Sequence, residues 1–445
     1  MASGQTIAII LAFIGVGLYF TTLPVPEKLQ NPWTLRGMAA VNFIKLPLII
    51  AIILAFIGVG LYFATLPVPE KLQNPWTLRG MAAVNFLTSR IPESWECFIW
   101  KTIRGDYFQA VTRNITDTHF DGVPVRIYQP LYKPQSSLPA IVYFHGGGWV
   151  RWDVDFFHGQ LKSFSTQIDQ VVLISVEYRR APEHKFPAAI DDCTDATLYF
   201  IRHAKDHHVD SNRIAVMGDS AGGNLAAAVS QRLTFDAKYK DVPKLKLQGL
   251  IYPCLQAFDF NLPSYQQHGH HVAVPLTKSK MTWYWSLYLQ GNDELVKYFA
   301  TNNHTSSTAK KSCIAELVSH DHIPNKFKYG EYVPPESNDF GEEDVFESIK
   351  KTLLNPDFAP LMRTDLRGLP EAYILISEFD VLRDDGILYG HRLEEAGVKV
   401  TQKHYDTGVH GMMAHSGYSS AFNLYQMEVA VEARNDLVNF VRKHL

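Results

Sequence analysis

The stretch RIAVMGDSAGGNLAAAV constrains this chain more than any other part of it. The apolar run Ile214 to Met217 reads as a strand, and it enters Gly218-Asp219-Ser220-Ala221-Gly222 with no polar spacer. The Ala-rich run from Gly222 to Leu233 then reads as a compact helix. Small residues two before and two after the serine let the chain turn sharply and pack its backbone closely. Such a corner thrusts Ser220 Oγ out at a helix N-terminus, where negative charge is favoured. The spacing is G-x-S-x-G, a nucleophile elbow. A simple tight turn is the bland alternative, and the strand before and helix after the serine argue against it.

From about Thr112 the rest of the chain agrees with that corner. Short apolar runs read as strands at Val125 to Gln129, Ala140 to Phe144, Val171 to Val176, Leu247 to Tyr252, Ala372 to Ser377 and Lys399 to His404. Helical patterns alternate with them, as in Ala188 to Ala204, where Ile190, Leu198, Phe200 and Ile201 are spaced among polar residues. This order predicts an α/β fold: a mostly parallel central sheet with helices on both faces. Between about 258 and 356 the alternation fails. Polar stretches there interrupt aromatic pieces such as MTWYWSLYL, which predicts a helical cap over the sheet's carboxyl edge. Trp283, Tyr284 and Trp285 shape a pocket or simply fill the cap's core; both readings stand.

A hydroxyl needs a base to take its proton, and that base needs a carboxylate to orient it. Asp380 follows the strand AYILIS, and His410, flanked by Gly408 and Gly411, follows the next. Chain order is then Ser220, Asp380, His410, the order of the α/β-hydrolase fold. Asp384 and Asp385 compete for the acid role but read better as caps of a helix starting near Asp385. Acyl transfer also passes through an oxyanion that backbone N–H groups must hold. The motif Phe144-His145-Gly146-Gly147-Gly148-Trp149, after the strand PAIVYF, supplies Gly147 and Gly148 for this, with Ala221 after the nucleophile. His145 reads as a loop-shaping residue rather than a base. A phosphate-binding Gly-rich turn is the rival, but no Lys-Ser/Thr pair follows as in a P-loop.

Lys+Arg total 42 against Asp+Glu 45, so no charge excess draws the chain to nucleic acid. Cys97, Cys193, Cys254 and Cys313 lack the spacing or His companions of a zinc site. They read as buried thiols with at most one disulfide. The N-terminal 90 residues are different. Ile7 to Phe20 and Leu46 to Leu66 are almost free of charge, and the second can cross a bilayer core of about 30 Å as a helix. A near-perfect duplication, residues 7–43 and 50–86, differs at one position, where Thr21 becomes Ala64. It reads as a recent duplication or an exon included twice. One span places the 91–445 domain opposite the N-terminus; two return it to the same side.

HGGGW at His145, EYRRAPEHKFPAAIDD at Glu177, GDSAGGN at Gly218, DVLRDDG at Asp380 and HGM at His410 together resemble the hormone-sensitive-lipase branch of the α/β-hydrolases. Within it the chain is most similar to the arylacetamide deacetylase-like proteins. The resemblance implies a single-pass endoplasmic reticulum protein, its catalytic domain lumenal, acting on acetylated arylamides, short acyl esters or neutral lipid esters, with no metal or organic cofactor. Two sequons, at Asn114 and Asn303, are glycosylated if the domain is lumenal. The deacetylase members carry two cysteines where this chain has Val150 and Ser377, so that disulfide is absent here. Arg180 stands where the family usually has Leu.

Two other classes compete. A non-catalytic small-molecule-binding protein on a hydrolase scaffold would lack the histidine that His410 supplies. A transporter built from the repeated helices would need intramembrane charge, and the repeats carry none. The expected partners are an apolar ester or amide substrate and a lipid bilayer.

Overall fold

The computed structural model describes residues 112–132, 134–270, 275–415 and 427–445, with the single positions 65, 79, 82 and 83. The expected membrane segments and their duplication lie outside the described residues. Among the described residues no helix is long and apolar enough to cross a membrane.

Eight strands form one sheet: β1 (Asn114–Phe120), β2 (Val123–Gln129), β3 (Leu138–Phe144), β4 (Val172–Val176), β5 (Val209–Asp219), β6 (Leu247–Ile251), β7 (Glu371–Phe379) and β8 (Val400–Val409). Their spatial order is β1-β2-β4-β3-β5-β6-β7-β8. The β1–β2 and β2–β4 pairs are antiparallel and the others parallel. The helices used below are α1 (Val154–Ile168), α2 (Ala188–Arg202), α3 (Ala221–Phe235), α4 (Lys278–Gln290), α5 (Glu343–Leu353), α6 (Arg383–Glu395) and α7 (Glu428–His444).

The central strands are near-continuous apolar runs because both their faces are covered. Val142 and Phe144 of β3 share one core with α2, α3 and α6, while Ile141 and Tyr143 share the other with α1 and α7. All seven strands read from the sequence are present. The eighth, β1, was not anticipated: it is an edge strand of sequence NITDTHF with mostly exposed positions, so its pattern carries no apolar run. Between β6 and β7 the described residues form no strand. They form α4, α5 and shorter helical pieces, among them Pro263–His268. Thr277 starts α4 by accepting from the Lys280 N–H at 3.3 Å, and Gly291 ends it at φ 82°, where a side chain would be strained.

Candidate active site

Strand register assembles the site. Phe379 of β7 is opposite Val409 of β8, so the residues that follow them, Asp380 and His410, emerge side by side. Sequence alone ends β8 near His404; a register shift between Ser377 and Phe379 lets pairing run five residues further to Val409. Phe144 is opposite Gly218 and Asp219 is opposite Ile251, which places the turn after β5 between the loop after β3 and the end of β6.

Ser220 occupies the apex of that turn at φ 56°, ψ −120°, a conformation that costs a non-glycine residue about 1–3 kcal/mol. Its N–H donates to Ile251 O at 2.9 Å, and Asn224 N–H donates back to Ser220 O at 3.1 Å. The corner leaves no room for a Cβ at its flanks: one on Gly218 would lie 2.2 Å from Gly222 O, and one on Gly222 would lie 1.9 Å from Phe144 O. A serine at this helix-start position ordinarily caps the first turn with its hydroxyl. Here the side chain makes no capping bond. Its Oγ is instead 3.0 Å from His410 Nε2.

His410 Nδ1 is 2.7 Å from Asp380 Oδ2, and Asp380 is fully buried, with its Oδ1 accepting from the Leu382 N–H at 2.9 Å. A proton on Nδ1, facing the carboxylate, leaves Nε2 to accept from the Ser220 hydroxyl. The Tyr252 ring packs against the imidazole, centroids 4.9 Å apart. The three residues singled out in the sequence therefore meet in one chain of contacts.

The glycine loop lies beside them. Gly147 and Gly148 have φ 119° and 64°, and a Cβ on Gly147 would lie 2.0 Å from Arg151 O. His145 is fully buried, stacks on Tyr178 with centroids 4.3 Å apart, and its Nδ1 is 2.7 Å from Gly146 O. Burial pushes its pKa down to about 3. Its neutral ring is packed inside the loop.

Asp219 is the residue that sequence reasoning passed over. Its Oδ1 accepts from Gly146 N–H at 3.0 Å and from Tyr143 O–H at 2.8 Å, so it pins the start of the glycine loop to β3 and to the serine turn. The available signal was a lone carboxylate within the apolar stretch IAVMGDSAGG. Burial pushes the carboxyl up to about 6, against the hydrogen bonds from Tyr143 and Gly146. Folded protein therefore binds more protons at this site than unfolded protein between about pH 4 and 6, and stability falls as pH rises through that window. Asp219→Asn is expected to flatten this part of a Tm-against-pH curve while keeping an acceptor for Gly146. Asp219→Ala is expected to lower kcat about tenfold or more by freeing the loop. Equal kcat for the Ala variant and the unmodified protein would remove Asp219 from the site.

Two expectations need correction. Asp384 and Asp385 do not cap α6, which begins at Arg383. Their carboxylates reach across to the chain after β6: Asp384 Oδ2 accepts from Ser264 N–H at 2.6 Å, and Asp385 Oδ2 accepts from Leu255 N–H at 2.7 Å. The helix start is packed beneath that segment, and its amides need acceptors. Cys313 is exposed rather than buried, while Cys193 and Cys254 are buried, and all three are free thiols. Cys97 lies outside the described residues. As for the sequons, Asn114 is exposed at the start of β1, whereas Thr305, the third residue of the other sequon, is fully buried and donates to Phe258 O at 2.7 Å.

The α/β-hydrolase fold family matches residues 141–315 and 311–414. Neutral cholesterol ester hydrolase 1 of Mus musculus is 38% identical over 339 residues, 74% of this chain and 80% of that protein. Arylacetamide deacetylase of Bos taurus is 37% identical over 338 residues, with the same two coverages, 74% and 80%. Among solved structures, an esterase of Pyrobaculum calidifontis superimposes with a TM-score of 0.60 at 25% identity, covering 84% of this chain and 98% of that one. A parallel sheet in this strand order, the serine turn between β5 and α3, and relatives matched over most of their length lead to one assignment: the chain belongs to the α/β-hydrolase fold family, in its arylacetamide deacetylase-like group.

Proposed function

We propose that the protein is a serine hydrolase that cleaves carboxylic esters or amides through an acyl-enzyme on Ser220. The observation that carries this reading is the contact chain Asp380–His410–Ser220, at 2.7 and 3.0 Å. His410 Nε2 takes the hydroxyl proton as Ser220 Oγ attacks the substrate carbonyl carbon. The carbonyl π pair moves onto oxygen, and the N–H groups of Gly147, Gly148 and Ala221 stabilise that charge. His410 then returns its proton to the leaving alcohol or amine as the C–O or C–N bond breaks. Water repeats the sequence and frees the acid. Asp380 keeps the imidazole in the productive tautomer throughout.

The named activities of the relatives, cholesteryl ester hydrolysis and arylacetamide deacetylation, both place an apolar group beside the scissile bond. An apolar substrate is the class to test here, with short acyl chains on bulky leaving groups preferred over long ones. A fluorophosphonate probe is expected to label the purified protein, and Ser220→Ala is expected to abolish the label. Persistent absence of label on the unmodified protein would favour the non-catalytic binding scaffold.

We also propose that the 91–445 domain is anchored in a membrane, on the strength of the apolar runs before it, and that it faces the lumen of the endoplasmic reticulum, as the resemblance to the arylacetamide deacetylase-like proteins implies. Glycosidase digestion of material from eukaryotic cells is expected to shift its mobility, with Asn114 as the exposed acceptor. No shift would count against the lumenal placement.

A further inference from the structure

The glycine loop does not hold its shape by itself. Gly147, Gly148 and Trp149 stand in a row at φ 119°, 64° and 59°. For a residue with a Cβ the left-handed region is strained, and Trp149 is the bulkiest residue that could occupy it. Contacts from outside the loop offset that strain: Asp219 holds the Gly146 N–H, the Ala181 N–H donates to Trp149 O at 2.9 Å, and helix α4 of the segment between β6 and β7 packs on the Trp149 ring. Trp149 is fully buried and lies parallel to Tyr288, with centroids 4.3 Å apart and planes 3° apart; Trp285 packs on it at 4.5 Å. Tyr288 is itself backed by Phe358 at 5.2 Å, and its carbonyl accepts from the Phe186 N–H at 2.9 Å.

One turn earlier, half-buried Tyr284 lies against Gly148 itself. A Cβ on Gly148 would fall 2.3 Å from Tyr284 Cδ1 and 2.4 Å from Cγ, so the ring lies flush on the backbone of one of the two loop residues assigned to the oxyanion. Stacked aromatic pairs of this kind attract one another beyond the gain from their burial. Two or three such contacts together help to hold a strained loop in one conformation.

We propose that α4 braces the oxyanion loop, with Tyr284 and Tyr288 as positioning residues for Gly148 and Trp149. The proposal rests on the serine-hydrolase reading above. It makes the cap a part of the catalytic apparatus, because displacing α4 releases the loop. Oxyanion donors act chiefly on the transition state, so loosening them lowers kcat more than it raises KM.

The test uses the purified full chain and p-nitrophenyl acetate, with Tm measured for every variant. Tyr284→Ala is expected to lower kcat about tenfold or more with KM changed less than about threefold. Tyr284→Phe, which keeps the ring, is expected to recover most of the loss. Gly148→Ala is expected to be far slower, because its methyl meets the Tyr284 ring. The pair Gly148→Ala with Tyr284→Ala is then expected to be faster than Gly148→Ala alone, since the collision is gone. Tyr284 is only half-buried, so its variants test the brace even where Tyr288→Ala fails to fold. If Ser220→Ala is inactive but Tyr284→Ala keeps full kcat and the double variant shows no recovery, the brace is wrong and the hydrolase reading stands. If Ser220→Ala keeps full activity, the hydrolase reading fails first, and the brace loses its object.

Discussion

Replacing Ser220 by alanine is expected to lower kcat for p-nitrophenyl acetate on the order of 10^6-fold, the loss found when the serine of a serine–histidine pair is removed. The residual rate would come from binding and the oxyanion donors alone. Because the hydroxyl and the imidazole act as one unit, Ser220→Ala combined with His410→Ala is expected to be no slower than the worse single variant. A multiplicative loss in the double variant would show that the two do not work together, whatever their 3.0 Å separation. Stability should move the other way. Ser220 makes no capping bond and is held at φ 56°, so Ser220→Gly is expected to raise stability by about 1 kcal/mol while eliminating turnover. Urea unfolding of the inactive variants measures that gain, and destabilisation by Ser220→Gly would mean the turn is not strained.

The largest loss of stability is expected at Arg383. Its guanidinium is fully buried below the acid turn and donates to four oxygens: Glu378 Oε1 at 2.8 Å, Asp384 Oδ1 at 2.9 Å, Gln267 Oε1 at 2.8 Å and the Phe327 carbonyl at 3.0 Å. Two of these partners flank Asp380 in the chain, and two belong to the segment between β6 and β7. Tyr329 O–H also donates to Glu378, whose Oε2 is 2.7 Å from His404 Nε2. Removing one member of a buried charge cluster leaves the others unpaired and costs about 3–5 kcal/mol. Arg383→Leu is therefore expected to lose that much in urea unfolding. Arg383→Lys should fall between, because a point charge cannot replace a fork that donates in several directions.

The cluster has a pH signature as well. Burial pushes Glu378 up, but the His404 hydrogen bond and the Arg383 charge outweigh it and bring the carboxyl down to about 2. An acid depressed in the folded state contributes stability that is complete above its unfolded value near 4.5 and is lost as pH falls towards about 2. Much of that acid-limb loss should disappear in Arg383→Leu. An Arg383→Leu protein within about 1 kcal/mol of the unmodified chain would mean the cluster contributes no net stability.

Chemistry that depends on neighbours in the chain was legible in the residues themselves. The elbow needs glycine two before and two after Ser220 because backbone carbonyls stand about 2 Å from where a Cβ would be, that of Gly222 for Gly218 and that of Phe144 for Gly222, and the demand is visible in the sequence as spacing. Seven strands were equally visible because burial on both faces forces apolar runs. Asp380 and His410 were legible for a related reason: both directly follow strands, and in such a sheet the strand ends form the site. Tertiary structure alone decided what has no local pattern. The run of β8 on to Val409, the hold of Asp219 on Gly146, and the Arg383 cluster depend on partners many residues away in sequence, while the exposed edge strand β1 pairs with its neighbour β2 without any apolar run to mark it. Asp384 and Asp385 show the difference most clearly. At the start of a helix a carboxylate reads as a cap, yet both bind amides more than a hundred residues earlier in the chain. A buried N–H must find an acceptor, and only the folded chain determines which one is within reach.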